Sequence, residues 1–432
     1  MSPERPINAE MPSTEEAERP PPQGPESGTA PPPESQTAPP PESRTAQPAA
    51  RPAPPPRRRR RVALTPLLLG LLVVLAILFI LAAVVGGSGG GRDDSGTEAT
   101  APAAGEGVAA GLGFPLTATN NTTRVGGADP AAIAAAVALA VYPATTPSQR
   151  PNAVTLVDED NWAGAIAAAV LMAPPVGAPV IFRAGGSLPA ASEEALAALR
   201  PKNRREISSP EPAAAALEAA KIRDRLAPKP PAHIVLAPEG APEYAMPAAA
   251  WAARSGDPVL FAGGDDLPPE TVAYLEAHTK APIFVLGPPS EISPELTREA
   301  ERIAGPVTRV PGDDPVAAAV ALARFGEDGF GWDVNDPGHG FVLVRSGSPL
   351  NAAAAAPLSA SGTWGPLLLT DDADTLPAEV RDYFLDVKPG YTDNPTRAFY
   401  NHVWVIGDQE AIDVKQQAEA NELAELERIG GE

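Results

Sequence analysis

At 432 residues the chain is long enough for two to four domains, but the first 61 are so rich in proline and so poor in bulky apolar residues that they are excluded from any folded core. Net charge is −21; that stretch is nearly balanced, with 9 Arg against 8 Glu, so the 24 basic and 46 acidic side chains beyond it leave −22 and argue against nucleic acid or anionic lipid as a partner. Cysteine is absent, which removes disulfides, thiolate nucleophiles and Cys-ligated metals, and the four His (233, 278, 339, 402) show no ligand spacing.

The chain opens with a predicted disordered cytoplasmic tail, residues 1–61. The octapeptides PPPESQTA and PPPESRTA follow each other at 31–38 and 39–46, a polyproline-like spacer that is also open to reading as a ligand for a proline-binding module. Five arginines (57–61) then precede 24 uncharged residues, 62–85. A helix of that length spans a hydrocarbon layer of about 30 Å, and the arginines hold its N-terminal side in the cytoplasm. A cleaved signal peptide is the alternative, but its apolar core is shorter and lies nearer the start. Residues 62–86 are therefore predicted to be an uncleaved single-pass anchor in the cell membrane, with everything after them extracytoplasmic. Small and polar residues make 87–122 a flexible linker.

Beyond the linker, strand and helix signals alternate in three copies. TRVGGADP (123–130) and TRVPGDDP (308–315) are two examples of one lead-in motif, and REISSPEP (205–212) is a third in which Arg has become Glu206. Each lead-in is a short β stretch, a turn, then an acid and Pro before an Ala-rich helix. The acid reads first as an N-cap and the Pro as the first helical residue, with a catalytic acid as the competing role. Each body is a buried strand, an Ala-rich helix, a second buried strand after Pro, a Gly- or Asp-rich turn and a helix begun by Leu-Pro. Apolar runs of four or five residues joined by helices are what a parallel sheet covered on both faces requires. The second and third copies end with a further strand and helix for which the first has no room. The fold class is thus α/β, with small open parallel-type modules at 123–205 (shortened), 206–306 and 307–432.

The second strands are Pro179-Val180-Ile181-Phe182, Pro258-Val259-Leu260-Phe261 and Pro366-Leu367-Leu368-Leu369, and the third crossover helix reads NAAAAAPL from Asn351. With the RVGGAD lead-in and the VWVIGD turn, these residues resemble the cell wall-binding repeat 2 family, whose modules come in threes on bacterial surface proteins. The resemblance covers about 123 to the C-terminus. It implies a pseudo-threefold arrangement and non-covalent binding of a cell-wall polysaccharide or secondary wall polymer, with the Pro-Ile-Leu-Leu-like strands tied to that binding. The twelve residues of those strands, with Arg124, Arg309 and Asn351, are the candidate ligand contacts. A buried core strand and a structural salt bridge or cap are the competing readings. Envelope proteins are the alternative partners, on a platform of the same fold.

No catalytic constellation emerges. The segment 346–348 (SGS) lacks a nucleophile elbow and GGDD lacks a following Lys-Ser, so no enzyme activity and no cofactor are expected. Asp265, Asp266, Asp371, Asp372 and Asp374 sit before the Leu-Pro helices, where helix capping competes with a Ca²⁺ site; no metal is predicted.

Overall fold

The apolar runs form strands and the Ala-rich runs form helices in the order expected, and the computed structural model describes them over residues 118–127 and 129–430. The tail, the candidate membrane span at 62–86 and the linker up to 117 lie outside the described residues. Among those described, no helix is long and apolar enough to cross a membrane.

The first copy runs β1 (Thr122–Val125), α1 (Pro130–Val141), β2 (Ala153–Asp158), α2 (Trp162–Ala168) with a 3₁₀ continuation to Met172, β3 (Val180–Arg183) and α3 (Ala190–Leu199). The second runs β4 (Asn203–Glu206), α4 (Pro212–Leu226), β5 (Ile234–Pro238), α5 (Pro242–Ser255), β6 (Val259–Ala262), α6 (Pro269–Ala277), β7 (Ile283–Val285) and α7 (Pro294–Ile303). The third runs β8 (Val307–Arg309), α8 (Pro315–Arg324), β9 (Gly340–Arg345), α9 (Pro349–Ala360), β10 (Leu367–Thr370), α10 (Ala378–Asp386), β11 (Gly390–Tyr391), β12 (His402–Ile406), α11 (Val414–Leu423) and β13 (Glu427–Arg428).

Every strand pair is parallel, in sheets ordered β3-β2-β4, β6-β5-β7-β8 and β10-β9-β12-β1, with β11-β13 a small separate pair. A lead-in strand does not join the sheet of its own copy. It completes the sheet of the copy before, β4 on the first and β8 on the second, while β1 closes onto the third with Thr123 opposite Trp404 and Arg124 opposite Val405. The lead-in helices do the reverse, for α1, α4 and α8 rest on β3, β6 and β10 of their own copies. Each lead-in therefore spans two neighbouring sheets, and the contacts run in a cycle through all three copies.

The crossover helices α2, α5 and α9 meet one another at the centre. Alanine makes that meeting possible, because Ala352, Ala353, Ala354, Ala355 and Ala356 of α9 and Ala248, Ala249 and Ala250 of α5 are all buried and let the backbones approach. A larger side chain has nowhere to go in such packing.

Capping follows the lead-in acids. Asp129 accepts from Ala132 N at 2.7 Å and Asp314 from Ala317 N at 2.9 Å, whereas Glu211, one methylene longer, makes no such bond. The Leu-Pro prolines fall one place earlier than expected: Pro189, Pro268 and Pro377 are the N-caps, with extended ψ, rather than the first helical residues. The last helix is also shorter than its Glu-rich sequence suggests. Asp413 caps it through Gln416 N at 2.8 Å, and after Leu423 the chain leaves to pair Glu427 and Arg428 with β11.

Between the second and third copies, loop 325–339 lays Phe330 flat on Phe284, 3.9 Å between centroids and 5° apart, with Phe325 and Trp251 edge-on to the pair. His233 is locked beside them: Nδ1 donates to Asp257 Oδ2 at 3.1 Å and, when protonated, Nε2 donates to Asp328 O at 3.1 Å. The hydrogen bond to Asp257 raises the His233 pKa against the opposing effect of burial.

Two outcomes are expected from this packing. Ala355→Leu overfills the helix junction and lowers stability by about 1–3 kcal/mol, read by urea unfolding. Because the folded-state pKa of His233 lies above its unfolded value of about 6.5, its contribution is complete below that pH and is lost as pH rises through the folded pKa. Thermal unfolding followed upward from pH 6 should show this loss, and His233→Asn should remove it.

Candidate functional site

A short strand that ends in a turn leaves its last carbonyls unpaired, and the lead-in arginines answer that need. Arg124 is fully buried; its Nε donates to Gln417 Oε1 at 3.0 Å and its terminal nitrogens donate to the carbonyls of Gly407, Asp408 and Asp413 at 3.0, 2.7 and 3.3 Å. Burial lowers its pKa, while Asp408 and Asp413 oppose the shift. Half-buried Arg309 repeats the arrangement on the carbonyls of Gly287 and Ile292, the latter at 2.6 Å. By sequence both arginines are candidate ligand contacts. The structure instead commits their guanidinium groups to clamping the Gly turn that follows β12 or β7, and Arg124 has no surface left to offer.

The loss of Arg at Glu206 follows from the same geometry. The first copy has no third body strand and no Gly turn, so β4 pairs directly with β2 and there is nothing to clamp. Arg183 of β3 instead bridges the ends of the three strands, 2.8 Å from Asp158 and 3.5 Å from Glu206.

The Pro-Ile-Leu-Leu-like strands are edge strands whose side chains are turned inward. Pro179, Val180, Ile181 and Phe182, Pro258, Val259, Leu260 and Phe261, and Pro366, Leu367, Leu368 and Leu369 are all buried. Even their outer edge is partly closed, since Ser192 Oγ donates to Phe182 O at 2.8 Å and Thr271 Oγ1 to Phe261 O at 2.7 Å. These strands are core in this structure and present no side chain to a ligand.

Asn351 behaves differently. It lines a cleft of about 380 Å³ at the carboxyl ends of β2, β9 and β12, where the first copy meets the third. Asp129, Glu159, Asp160 and Asp408 supply carboxylates, Trp162 and Ile133 supply apolar wall, and no Lys or Arg takes part. Burial, then the neighbouring Asp129, raises the Glu159 pKa. Gly127 allows the lead-in turn its tight path, since a Cβ there would lie 2.9 Å from Ala132 Cβ and Ile133 N.

The equivalent positions at the other two junctions are bridged by a side chain. Asn161 Nδ2 donates to Ser209 O at 2.8 Å between the first and second copies, and Tyr244 OH donates to Asp313 O at 3.1 Å between the second and third. At the third junction, Asn351 occupies the position of Tyr244, and its Oδ1 is buried without a partner. Glu159, Asp160 and Trp162 could not be picked out from the sequence, because they converge with Asn351 only when the ring of copies closes.

Two solved structures share this architecture. Cwp6 from Clostridium difficile aligns with a TM-score of 0.58 at 17% identity, over 71% of this chain and 48% of that one. Cwp8 from Clostridium difficile aligns with 0.54 at 17% identity, over 71% of this chain and 52% of that one. The likeness is one of fold. The chain spans about half the length of each neighbour. No family model matches the chain, and no curated protein matches it in sequence. Among the described residues no group of three or more His, Asp or Glu is placed to hold a metal ion.

Removing the clamp should be costly in stability. Arg124→Ala removes the donor from the buried Gly407 carbonyl together with the bonds to Asp408 and Asp413, and is expected to cost about 3 kcal/mol in urea unfolding, with little recovery in Arg124→Lys, whose single ammonium cannot span the three carbonyls. Glu206→Ala, on an exposed partner, should change stability by less than about 0.5 kcal/mol.

Proposed function

We propose that this is a membrane-anchored extracytoplasmic protein that holds cell-wall polysaccharide non-covalently and performs no catalysis. Cwp6 and Cwp8, whose fold it shares, are cell wall proteins. The basic-then-apolar run at 57–85 supplies the anchor on this reading, and the linker lets the folded region reach outward.

The observation that carries the proposal is the open junction between first and last copies. Ligands of parallel α/β sheets sit outside the carboxyl ends of the strands, and this cleft is there, with Trp162 for a ring face and carboxylates with Asn351 for hydroxyls. Its acidic lining selects a neutral or amine-bearing glycan over a phosphate-rich polymer. A second reading, a protein-binding platform in an envelope assembly, draws on Phe399 and Tyr400, which are 71% and 50% exposed side by side.

Co-sedimentation of the purified full chain with protein-stripped cell walls tests the first reading. Binding that survives high salt and weakens at least tenfold in Glu159→Lys/Asp160→Lys is expected; absence of binding at every ionic strength sinks it. Release of soluble sugar by the protein would overturn the non-catalytic part, and binding abolished only by Phe399→Ser/Tyr400→Ser would favour the platform.

A further inference from the structure

The same junction between the third and first copies has a second opening, at the amino ends of the strands. It is a pocket of about 470 Å³, within the range of small-molecule sites, lined by Thr123, Ala140, Leu358, Thr363, His402 and Trp404 among others. No charged side chain lines it, which sets it apart in a chain of this net charge.

Its origin is visible by comparison with the junction before it. Strand register makes Trp404 the counterpart of Phe284, Thr123 of Thr308, and Gly340 of His233. The lead-ins, offset by a constant spacing, make Ala140 the counterpart of Phe325, and the crossover helices make Leu358 that of Trp251. Between the second and third copies Phe325, Phe330 and Trp251 therefore bury Phe284 under a plug of aromatic rings. Between the third and first copies Ala140 and Leu358 stand where two of those rings would be, and Trp404 is left half-buried at the bottom of the space. Among the described residues only His402 sets a ring against Trp404, and none stacks flat on it as Phe330 does on Phe284.

The polar groups say what kind of ring. His402 sits edge-on to Trp404, 4.9 Å between centroids, and its Nε2 is buried without a hydrogen-bond partner. Ser361 donates its hydroxyl to Pro357 O at 2.7 Å and keeps its lone pairs for an incoming donor. A phenyl group would leave these needs unmet. A hexopyranose has an apolar C–H face to lie on the electron-rich indole and a rim of hydroxyls for Thr123, Ser361 and Thr363. We propose that this pocket is a subsite for one uncharged sugar ring of a glycan, stacked on Trp404 in the place that Phe330 takes on Phe284. The assignment deepens the polysaccharide-binding reading and rests on it for the source of the glycan.

The test uses the full chain, the Trp404 indole N–H resonance, and a panel of neutral oligosaccharides of glucose, galactose, mannose, rhamnose and N-acetylglucosamine. At least one should shift that resonance and bind at least tenfold more weakly to Trp404→Ala. Ala140→Phe, which supplies the missing plug, should fold with an unchanged or higher melting temperature and lose binding to the same extent, whereas Val414→Ser on the exposed surface should not. No shift with any sugar, or equal binding by Ala140→Phe, overturns the subsite; so does a shift produced by a phenylalanine-rich peptide and by no sugar. If the chain sediments with cell walls but ignores every oligosaccharide, only the subsite falls. If it ignores walls but a sugar shifts Trp404, the subsite stands and the polymer reading falls.

Discussion

The structure depends on a lead-in motif that belongs to two sheets at once. Its strand completes the sheet of the copy before and its helix rests on the sheet of its own, so no copy has a finished sheet without its neighbour. Parallel strands need crossovers, and a parallel edge left open offers unpaired amides and carbonyls along its length. Closing β1 onto β12 removes that edge from the last copy by using the first strand of the folded region, more than 270 residues away in sequence. The unit is thus cooperative through its ends: pairing that joins the first and last copies is a long-range contact that forms only once the chain between them is in place.

The arginine clamp shows how closely sequence tracks this architecture. Arg124 and Arg309 occur where a further strand ends in a Gly turn whose carbonyls need donors, and Glu206 occurs where that strand is missing. The residue that marks each lead-in therefore reports on the preceding copy, not on its own. A buried guanidinium with four hydrogen bonds to carbonyl and amide oxygens is stable because each bond is charge-assisted and because the nearby Asp408 and Asp413 offset part of the desolvation.

Much of the fold was legible in the sequence. Apolar runs, Ala-rich helices and acid-Pro caps marked out the three bodies and three lead-ins, because those signals are local and periodic. Sheet membership was not legible, since nothing within TRV or REI says which neighbour it will pair with. Of the fifteen candidate contacts read from the sequence, Asn351 lines a cleft, while the Pro-Val-Ile-Phe-type strands and Arg124 are buried and Arg309 is bound to carbonyls. Hydrophobic strands look alike whether they are core or contact, so the pattern that located them could not assign them a ligand. Glu159, Asp160, Trp162 and Trp404 are scattered over nearly 250 positions, and only ring closure gathers them.

Both openings lie at the junction where the chain closes on itself, at the two ends of α1. The cleft is bounded by Gly127, Asp129 and Pro130 where the helix begins, and the pocket by Ala140 and Val141 where it stops. A helix of 12 residues places them roughly 18 Å apart. At the other two junctions a side chain reaches a carbonyl across 48 or 69 residues of sequence, and between the second and third copies aromatic rings pack together as well. At the third junction the partners come from opposite ends of the folded region, so its gaps are filled by neither a neighbouring loop nor an extended turn. Unequal copies in a closed cycle must carry their mismatch somewhere, and at the first–last contact it leaves two openings of different character, one lined by carboxylates and one with no charged side chain.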